Sequence, residues 1–384
     1  MSKQGKIIGA PINRIDGRLK VTGKATYAAE FPVTNLVYGF PVQSTIAAGE
    51  IVSIDASAAE KSAGVLKIIT HQNALKLAPR PTLTPANRMT RSNPVLQNTR
   101  IHCYGQYIGL VVAETYEQAR AAARLVKVSY KSEKPKIDFD ENSKDAYKPE
   151  VINAGYPTDT SWGNLESGLK QAAEIVTETY ETPIEHHHPM EPHASLAAFQ
   201  GEKLIVYEAT QMLAQTRDGI ANTFNIPKEK IQVLSPYIGG GFGSKLQPRE
   251  HLMLTVMAAK MLNRPVKTAI TRQMMQTNVG LRQLNRQKMR VGATKDGNLT
   301  ALAHEILTHT SVDEEFVEQT GVISRMFYAV PNSLVTHRVF PTNIQVPRWT
   351  RAPGETPGSF ALESAMDELA YKLKMVPRCF KWVA

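Results

Sequence analysis

One short stretch constrains the fold more than any other: Gly239-Gly240-Gly241-Phe242-Gly243, followed by Ser244-Lys245. Four glycines in five positions free the backbone to take positive φ and to lie close against whatever faces it. The residue pattern places a strand before the loop, from Ile231 to Leu234, and a helix after it, at about 250–262. A glycine loop between a strand and a helix aims backbone N–H groups at an anion. A tight turn between two elements has the same composition, and spacing alone does not choose between these readings. The loop is not a Walker loop, because Gly243-Ser244-Lys245 reverses the required Lys-Ser order. It also departs from the dinucleotide fingerprint, where Ser244 takes the last glycine position.

The surrounding chain reads as mixed α/β. Leu110 to Ala113 is a buried strand, Glu117 to Leu125 an alanine-rich helix, and Val126 to Tyr130 an alternating strand, which together suggest one strand–helix–strand unit. The charged, proline-bearing stretch that follows, with the turn formers after it, reads as a surface linker. Strands are expected at Glu178–Glu181, Leu204–Tyr207 and Val266–Ile270. Helices are expected from Ala214 to Phe224 and from Phe360 to Leu373, the latter with apolar residues at helical spacing. With 42% hydrophobic and 21% charged residues the chain is neither disordered nor of low complexity. Two cysteines, Cys103 and Cys379, allow at most one disulfide and cannot carry a four-thiolate cluster. No apolar run approaches the ~20 residues of a membrane span, and the N-terminus lacks a signal-peptide core, so a cytoplasmic protein is expected.

Three further features invite chemistry. His186-His187-His188-Pro189-Met190-Glu191-Pro192-His193 groups histidines with a carboxylate, but its two prolines forbid a helical metal motif and adjacent histidines of an extended segment face apart. A structured loop with satisfied histidines is the favoured reading. From His251 to Lys295 there is no acidic residue, and Arg264, Lys267, Arg272, Arg282, Arg286, Lys288, Arg290 and Lys295 all fall there. The run reads as a solvated positive face, a phosphate-binding wall or a contact for an acidic subunit; no aromatic residues are interleaved as nucleic-acid stacking requires. Arg351-Ala352-Pro353-Gly354-Glu355-Thr356-Pro357-Gly358, just before the last helix, is either an anion contact or a rigid connection.

Taken in order, these segments resemble the large, molybdenum-cofactor subunit of the xanthine dehydrogenase and aldehyde oxidase family, and most of all its bacterial aldehyde-oxidising branch. The resemblance rests on Arg14 to Gly17, Lys20 to Tyr27, Gly64-Val65, Val111 to Thr115, Met190 to Ala194, Ala209-Thr210-Gln211, Ser235 to Lys245, and Arg351 to Gly358 leading into Ala361-Leu362-Glu363. It implies an α+β chain: an α/β-hammerhead domain at 1–135, a linker at 136–163, and the first molybdopterin-cofactor-binding domain at 164–384. It implies molybdopterin cytosine dinucleotide as cofactor and oxidation of an aldehyde to a carboxylic acid, with water supplying the oxygen. The pterin dithiolene holds the metal in such enzymes, so no side chain here is expected as a metal ligand. Carried over by motif, Gln211 lies near the metal's oxygen ligands. Gly241, Phe242 and Gly243 present backbone to the cofactor, and Arg351 and Ala352 sit beside the centre. Pro353 lines the substrate side.

Two departures bear on the substrate. Leu246 stands where purine-oxidising members carry a glutamate, and Gln319 aligns loosely with their arginine. A purine would lose its hydrogen-bond partners there, which favours an aldehyde. The family's general base, a glutamate, lies in a C-terminal half that is not part of this sequence. No catalytic residue is therefore nominated, and Glu191 and Glu355, the nearest by motif position, are declined. The resemblance further implies a 2Fe-2S subunit and an FAD subunit as partners, with a separate chain for the missing half as an added partner. Much of the +10 net charge then faces a cofactor pyrophosphate or that half. A periplasmic location follows if the chain is exported with a partner subunit. The competing expectations are a noncatalytic remnant or interaction module, and a basic nucleotide- or nucleic-acid-binding protein.

Overall fold

A computed structural model describes residues 8–82, 84, 90 and 94–376. Cys379 lies outside the described residues. In chain order the strands are β1 (Val37–Gln43), β2 (Gly49–Asp55), β3 (Val65–Thr70), β4 (Arg100–Ile101), β5 (Tyr107–Ala113), β6 (Lys127–Ser132), β7 (Thr160–Trp162), β8 (Glu174–Thr182), β9 (Ala194–Gln200), β10 (Lys203–Glu208), β11 (Ile231–Leu234), β12 (Val266–Ala269), β13 (Asn285–Ala293), β14 (Leu299–Ser311) and β15 (Ser333–Thr342). The longer helices are α1 (Tyr116–Ala123), α2 (Leu213–Phe224), α3 (Glu250–Leu262) and α4 (Glu355–Leu373).

The strands form three sheets. The largest runs β11-β10-β9-β12-β1-β5-β3, a second runs β7-β15-β14-β13-β8, and a third runs β4-β2-β6. β5 is buried at every position, as its unbroken apolar sequence requires of an interior strand, and it lies antiparallel between β1 and β3. Its helix α1 opens with a capping box in which Thr115 accepts from the Gln118 N–H. The strand–helix–strand unit expected here is divided between two sheets. β6 is largely exposed and cannot fill an interior place, so it pairs with β2 in the small sheet.

The large sheet is continuous across the division expected at residue 135. β1 and β12 pair in parallel, Val37 with Val266 and Gly39 with Thr268, which joins strands from either side of that division. α3 lies over β9 and β12, and its residues His251 to Ala259 are all buried, a helix apolar nearly all round and covered on nearly every side. α4 packs Ala361, Leu362, Ala365, Met366, Leu369 and Ala370 against the second sheet at β8 and β13.

Three expectations are revised. α4 begins at Glu355, five residues before the start read from apolar spacing, because Pro357 is tolerated in a first turn. Glu355 to Gly358 therefore belong to the helix. The stretch read as a linker is strapped along the second sheet: the Lys136 N–H donates to Asn343, Tyr147 bridges Val339, Ile152 is buried, and Thr160–Trp162 is the edge strand β7. Its charge marks an exposed outer face, not a free connection. The helix after the glycine loop spans Glu250–Leu262 as expected, but Lys245 to Arg249 separate the loop from its N-terminus, so the loop does not itself open that helix. Among the described residues no helix is long and apolar enough to cross a membrane.

Candidate cofactor cleft

The glycine loop follows β11 and folds back on the segment after β10. Gln211 is fixed there twice. Its backbone N–H donates to the Lys245 carbonyl at 2.9 Å, and its side-chain Oε1 accepts the Gly243 N–H at 3.1 Å. With Oε1 so engaged, Nε2 is the end of the amide that offers donors. The loop closes on itself where Ser244 donates both N–H and Oγ–H to the Gly241 carbonyl.

Glycine is required here for space and for conformation. A Cβ on Gly241 would sit 2.3 Å from Gln211 Oε1. Gly243 has φ +108°, and a Cβ there would fall 1.8 Å from the Trp349 carbonyl oxygen. Phe242 between them holds φ +55°, an uncommon conformation for a residue with a side chain, and remains partly exposed. Its carbonyl accepts the Arg351 N–H at 2.9 Å, which seats the 349–353 segment against the loop.

Behind the loop lies a buried charged layer. The Lys245 side chain is inaccessible to solvent, and its ammonium donates to Glu191 Oε2 at 2.8 Å and to the Glu191 carbonyl at 3.0 Å. Glu191 also accepts the Gly239 N–H at 2.8 Å. Burial pulls the Lys245 pKa down, and the Glu191 carboxylate opposes that. Arg249, also buried, donates Nε to the Ser244 carbonyl at 2.9 Å, and burial with Arg348 nearby pulls it to about 9.

The surfaces so assembled border an open cleft of about 520 Å³ lined by Gln211, Gly240 to Gly243, Leu246, Trp349 to Arg351 and Pro353. Seven residues singled out by sequence thus meet in one place: Gln211, Gly241, Phe242, Gly243, Leu246, Arg351 and Pro353. Ala352 adjoins them, exposed and at φ +53°. Gln319 does not line the cleft. It is buried beside the start of α4, donating to Glu355 at 3.0 Å and accepting from Asn153 at 2.7 Å. Glu191 and Glu355 are occupied by Lys245 and Gln319 respectively. One amide expected to face a cofactor, the Gly243 N–H, is instead taken by Gln211.

The histidine cluster is disassembled. His187 Nε2 lies 2.7 Å from the Trp349 carbonyl, and burial pulls its pKa to about 4. His193 is buried with Nε2 at 3.4 Å from the Ser244 carbonyl, while His186 and His188 face each other. The basic run is not a wall. Its members are spread over two strands, a helix and the loops between them, and carboxylates from distant segments meet several of them: Arg264 with Glu114, Arg286 with Asp140 and Glu181, Arg290 with Glu166. None of the eight lines the cleft among the described residues.

Two residues that hold the cleft were not legible as site residues. Arg282 was visible only as part of the charge run, and Glu318 not at all. Arg282 donates Nη2 to the carbonyls of Thr350, Arg351 and Ala352, while Glu318 accepts the Gly354 N–H.

A cleft walled by glycine backbone, one fixed amide and one arginine suits a large anionic ligand held by peptide groups. Comparison with known proteins says which. A family model described as the molybdopterin cofactor-binding domain matches residues 145–382, and one described as the aldehyde oxidase and xanthine dehydrogenase a/b hammerhead domain matches residues 22–134. The chain belongs to this family of molybdopterin-binding proteins. The aldehyde oxidoreductase molybdenum-binding subunit PaoC of Escherichia coli (strain K12) is 38% identical over 386 residues, which are 98% of this chain and 50% of PaoC. The nicotinate dehydrogenase large molybdopterin subunit of Eubacterium barkeri is 26% identical, and there the match covers 98% of this chain and 89% of the relative. Among solved structures, the aldehyde oxidoreductase from Desulfovibrio gigas superposes with a TM-score of 0.79 at 25% identity, covering 95% of this chain and 42% of that one. The chain thus spans about half the length of PaoC and nearly all of a subunit from the same family.

Proposed function

We propose that the chain forms the first half of the molybdenum site of an aldehyde-oxidising enzyme, with molybdopterin cytosine dinucleotide as the cofactor. The residues present fit such a group: the glycine loop brings peptide groups to the cleft beside the Gln211 amide and Arg351, and no side-chain metal ligand is needed where the metal is held by the pterin's own dithiolene. When bound, that group supplies two-electron oxidation with oxygen taken from water.

The chain's own residues bind and orient. Gln211, its Oε1 spent on Gly243, directs Nε2 donors at oxygen atoms in the cleft. Arg351 brings a permanent positive charge to the cleft wall. Neither Glu191 nor Glu355 is assigned as the base, since neither lines the cleft; the proton acceptor is assigned to the remaining half of the enzyme. Without it the rate should fall by about 10²–10⁴-fold. The substrate reading rests on one observation above all: Leu246, where purine-oxidising members carry a glutamate, is an apolar part of the cleft wall. A purine entering there would leave its polar edge unpaired.

The partners proposed are a 2Fe-2S subunit, an FAD subunit and a chain supplying the remaining half, together in the cytoplasm, or in the periplasm if exported as a complex. Co-produced with a C-terminal half and these subunits, the complex is expected to oxidise benzaldehyde to benzoate and to leave xanthine untouched. Turnover of xanthine, or of neither compound by a molybdenum-loaded complex, refutes the reading.

A further inference from the structure

We propose that the buried Arg282–Glu318 pair is a positioning device that sets the Thr350–Gly354 loop, and with it Arg351, against the glycine loop. Neither residue lines the cleft; both act through the backbone that does. The inference that this loop governs cofactor retention rests on the reading of the cleft given above.

The pair grips one loop in two ways. Arg282 Nη2 donates to three successive carbonyls, Thr350 at 2.9 Å, Arg351 at 2.8 Å and Ala352 at 3.2 Å. Its other nitrogens are anchored to Glu185 at 2.6 Å and Glu318 at 3.2 Å. Glu318, its side chain fully buried, accepts the N–H groups of Gly354 at 3.0 Å and Thr350 at 3.5 Å. The guanidinium thus takes the loop's acceptors while the carboxyl group of Glu318 takes its donors.

The loop needs holding. Ala352 at φ +53° is a conformation that alanine seldom keeps, whereas Gly354 at φ +82° stands where glycine alone is at ease. A residue like Ala352 persists only where its surroundings over-determine it. The facing loop carries the matching feature in Phe242, whose carbonyl binds the Arg351 N–H. Two segments with a residue of positive φ therefore lock edge to edge, and the Arg282–Glu318 pair holds one of them from behind. As a source of stability alone the pair is poor, since apolar residues of similar volume often do as well or better. What an apolar pair could not do is bind the peptide groups of one strained turn.

Hydrogen–deuterium exchange on the full chain separates this role from a general structural one. Glu318→Ala is expected to speed exchange at least tenfold in peptides spanning 349–356, and to leave peptides from α4 beyond residue 361 and from β13 within twofold of wild type. Glu318→Gln, whose amide oxygen still accepts the Gly354 N–H, should recover most of the protection. Arg282→Lys should lose it, because one ammonium cannot replace the guanidinium fork; it carries the same expectation if Glu318→Ala does not accumulate. A uniform rise across α4 and β13, or no change at 349–356, overturns the proposal. In the co-produced complex, molybdenum retained after gel filtration should fall at least fivefold in Glu318→Ala and return in Glu318→Gln. Equal retention in wild type and Glu318→Ala also overturns it. If wild type retains no molybdenum while the exchange pattern holds, the cofactor reading fails and the loop device stands.

Discussion

Gly241 and Gly243 stand two residues apart and should respond differently to one added methyl group. Gly243→Ala would place Cβ against the Trp349 carbonyl, a backbone atom that cannot step aside, in a conformation alanine resists. The expected loss is about 3 kcal/mol or more in urea denaturation. Gly241→Ala meets only the end of the Gln211 side chain, which can swing away. Stability should then stay within about 1 kcal/mol, while the Gly243 amide, deprived of its acceptor, exchanges faster. Equal losses for the two would contradict this account of the cleft. At this scale the sequence was informative where chemistry is local: the glycine loop, Gln211, Leu246 and Arg351 carry recognisable neighbours. It was silent where partners are remote. Arg282 meets Glu318 across 36 positions and Arg351 across 69, and no spacing rule connects them. Gln319, aligned loosely with a substrate residue, turned out to pack beneath α4.

α4 is the clearest test among the elements. Its inner face is buried from Ala361 to Ala370, so Leu369→Ala should cost about 2–5 kcal/mol. Tyr371, two positions on and 70% exposed, should tolerate alanine within about 0.5 kcal/mol. Comparable losses at both positions would mean that the helix does not pack as described. Its pattern was readable because one face is apolar and the other polar. Interior strands such as β5 were readable for a different reason, being short runs that are apolar throughout. β13, β14 and β15 were not, although they are among the longest strands, because polar side chains face inward from them. His304 on β14 is buried with Ser324 at 2.8 Å and Gln287 of β13 at 3.0 Å, and His337 on β15 receives the Gly321 N–H. Buried polar pairs erase the alternation that marks a strand.

The whole molecule carries these buried imidazoles as a pH dependence. Burial pulls His187, His309 and His337 to about 4 and His304 to about 3, so all four are neutral when folded at pH 6. Unfolded, they take up protons near pH 6.5; their contribution is therefore present above that value and lost as pH falls toward 4, at about 3 kcal/mol for each. Glu318 has the opposite sign. Burial pushes it to about 7, so its contribution is present below the unfolded value near 4.5 and lost as pH rises through 7. Four groups outweigh one, and the melting temperature should be lower at pH 4.5 than at pH 6.5 by roughly ten degrees or more. A flat profile would contradict the burial of these residues. The cleft has a glycine wall, an amide and an arginine, and the chain spans about half the length of PaoC. The most direct test is to co-produce it with a segment supplying the other half, isolate the complex, and measure molybdenum together with the cytidine monophosphate released on hydrolysis. Near-stoichiometric amounts of both are the expected result; a folded complex that carries neither would contradict the account.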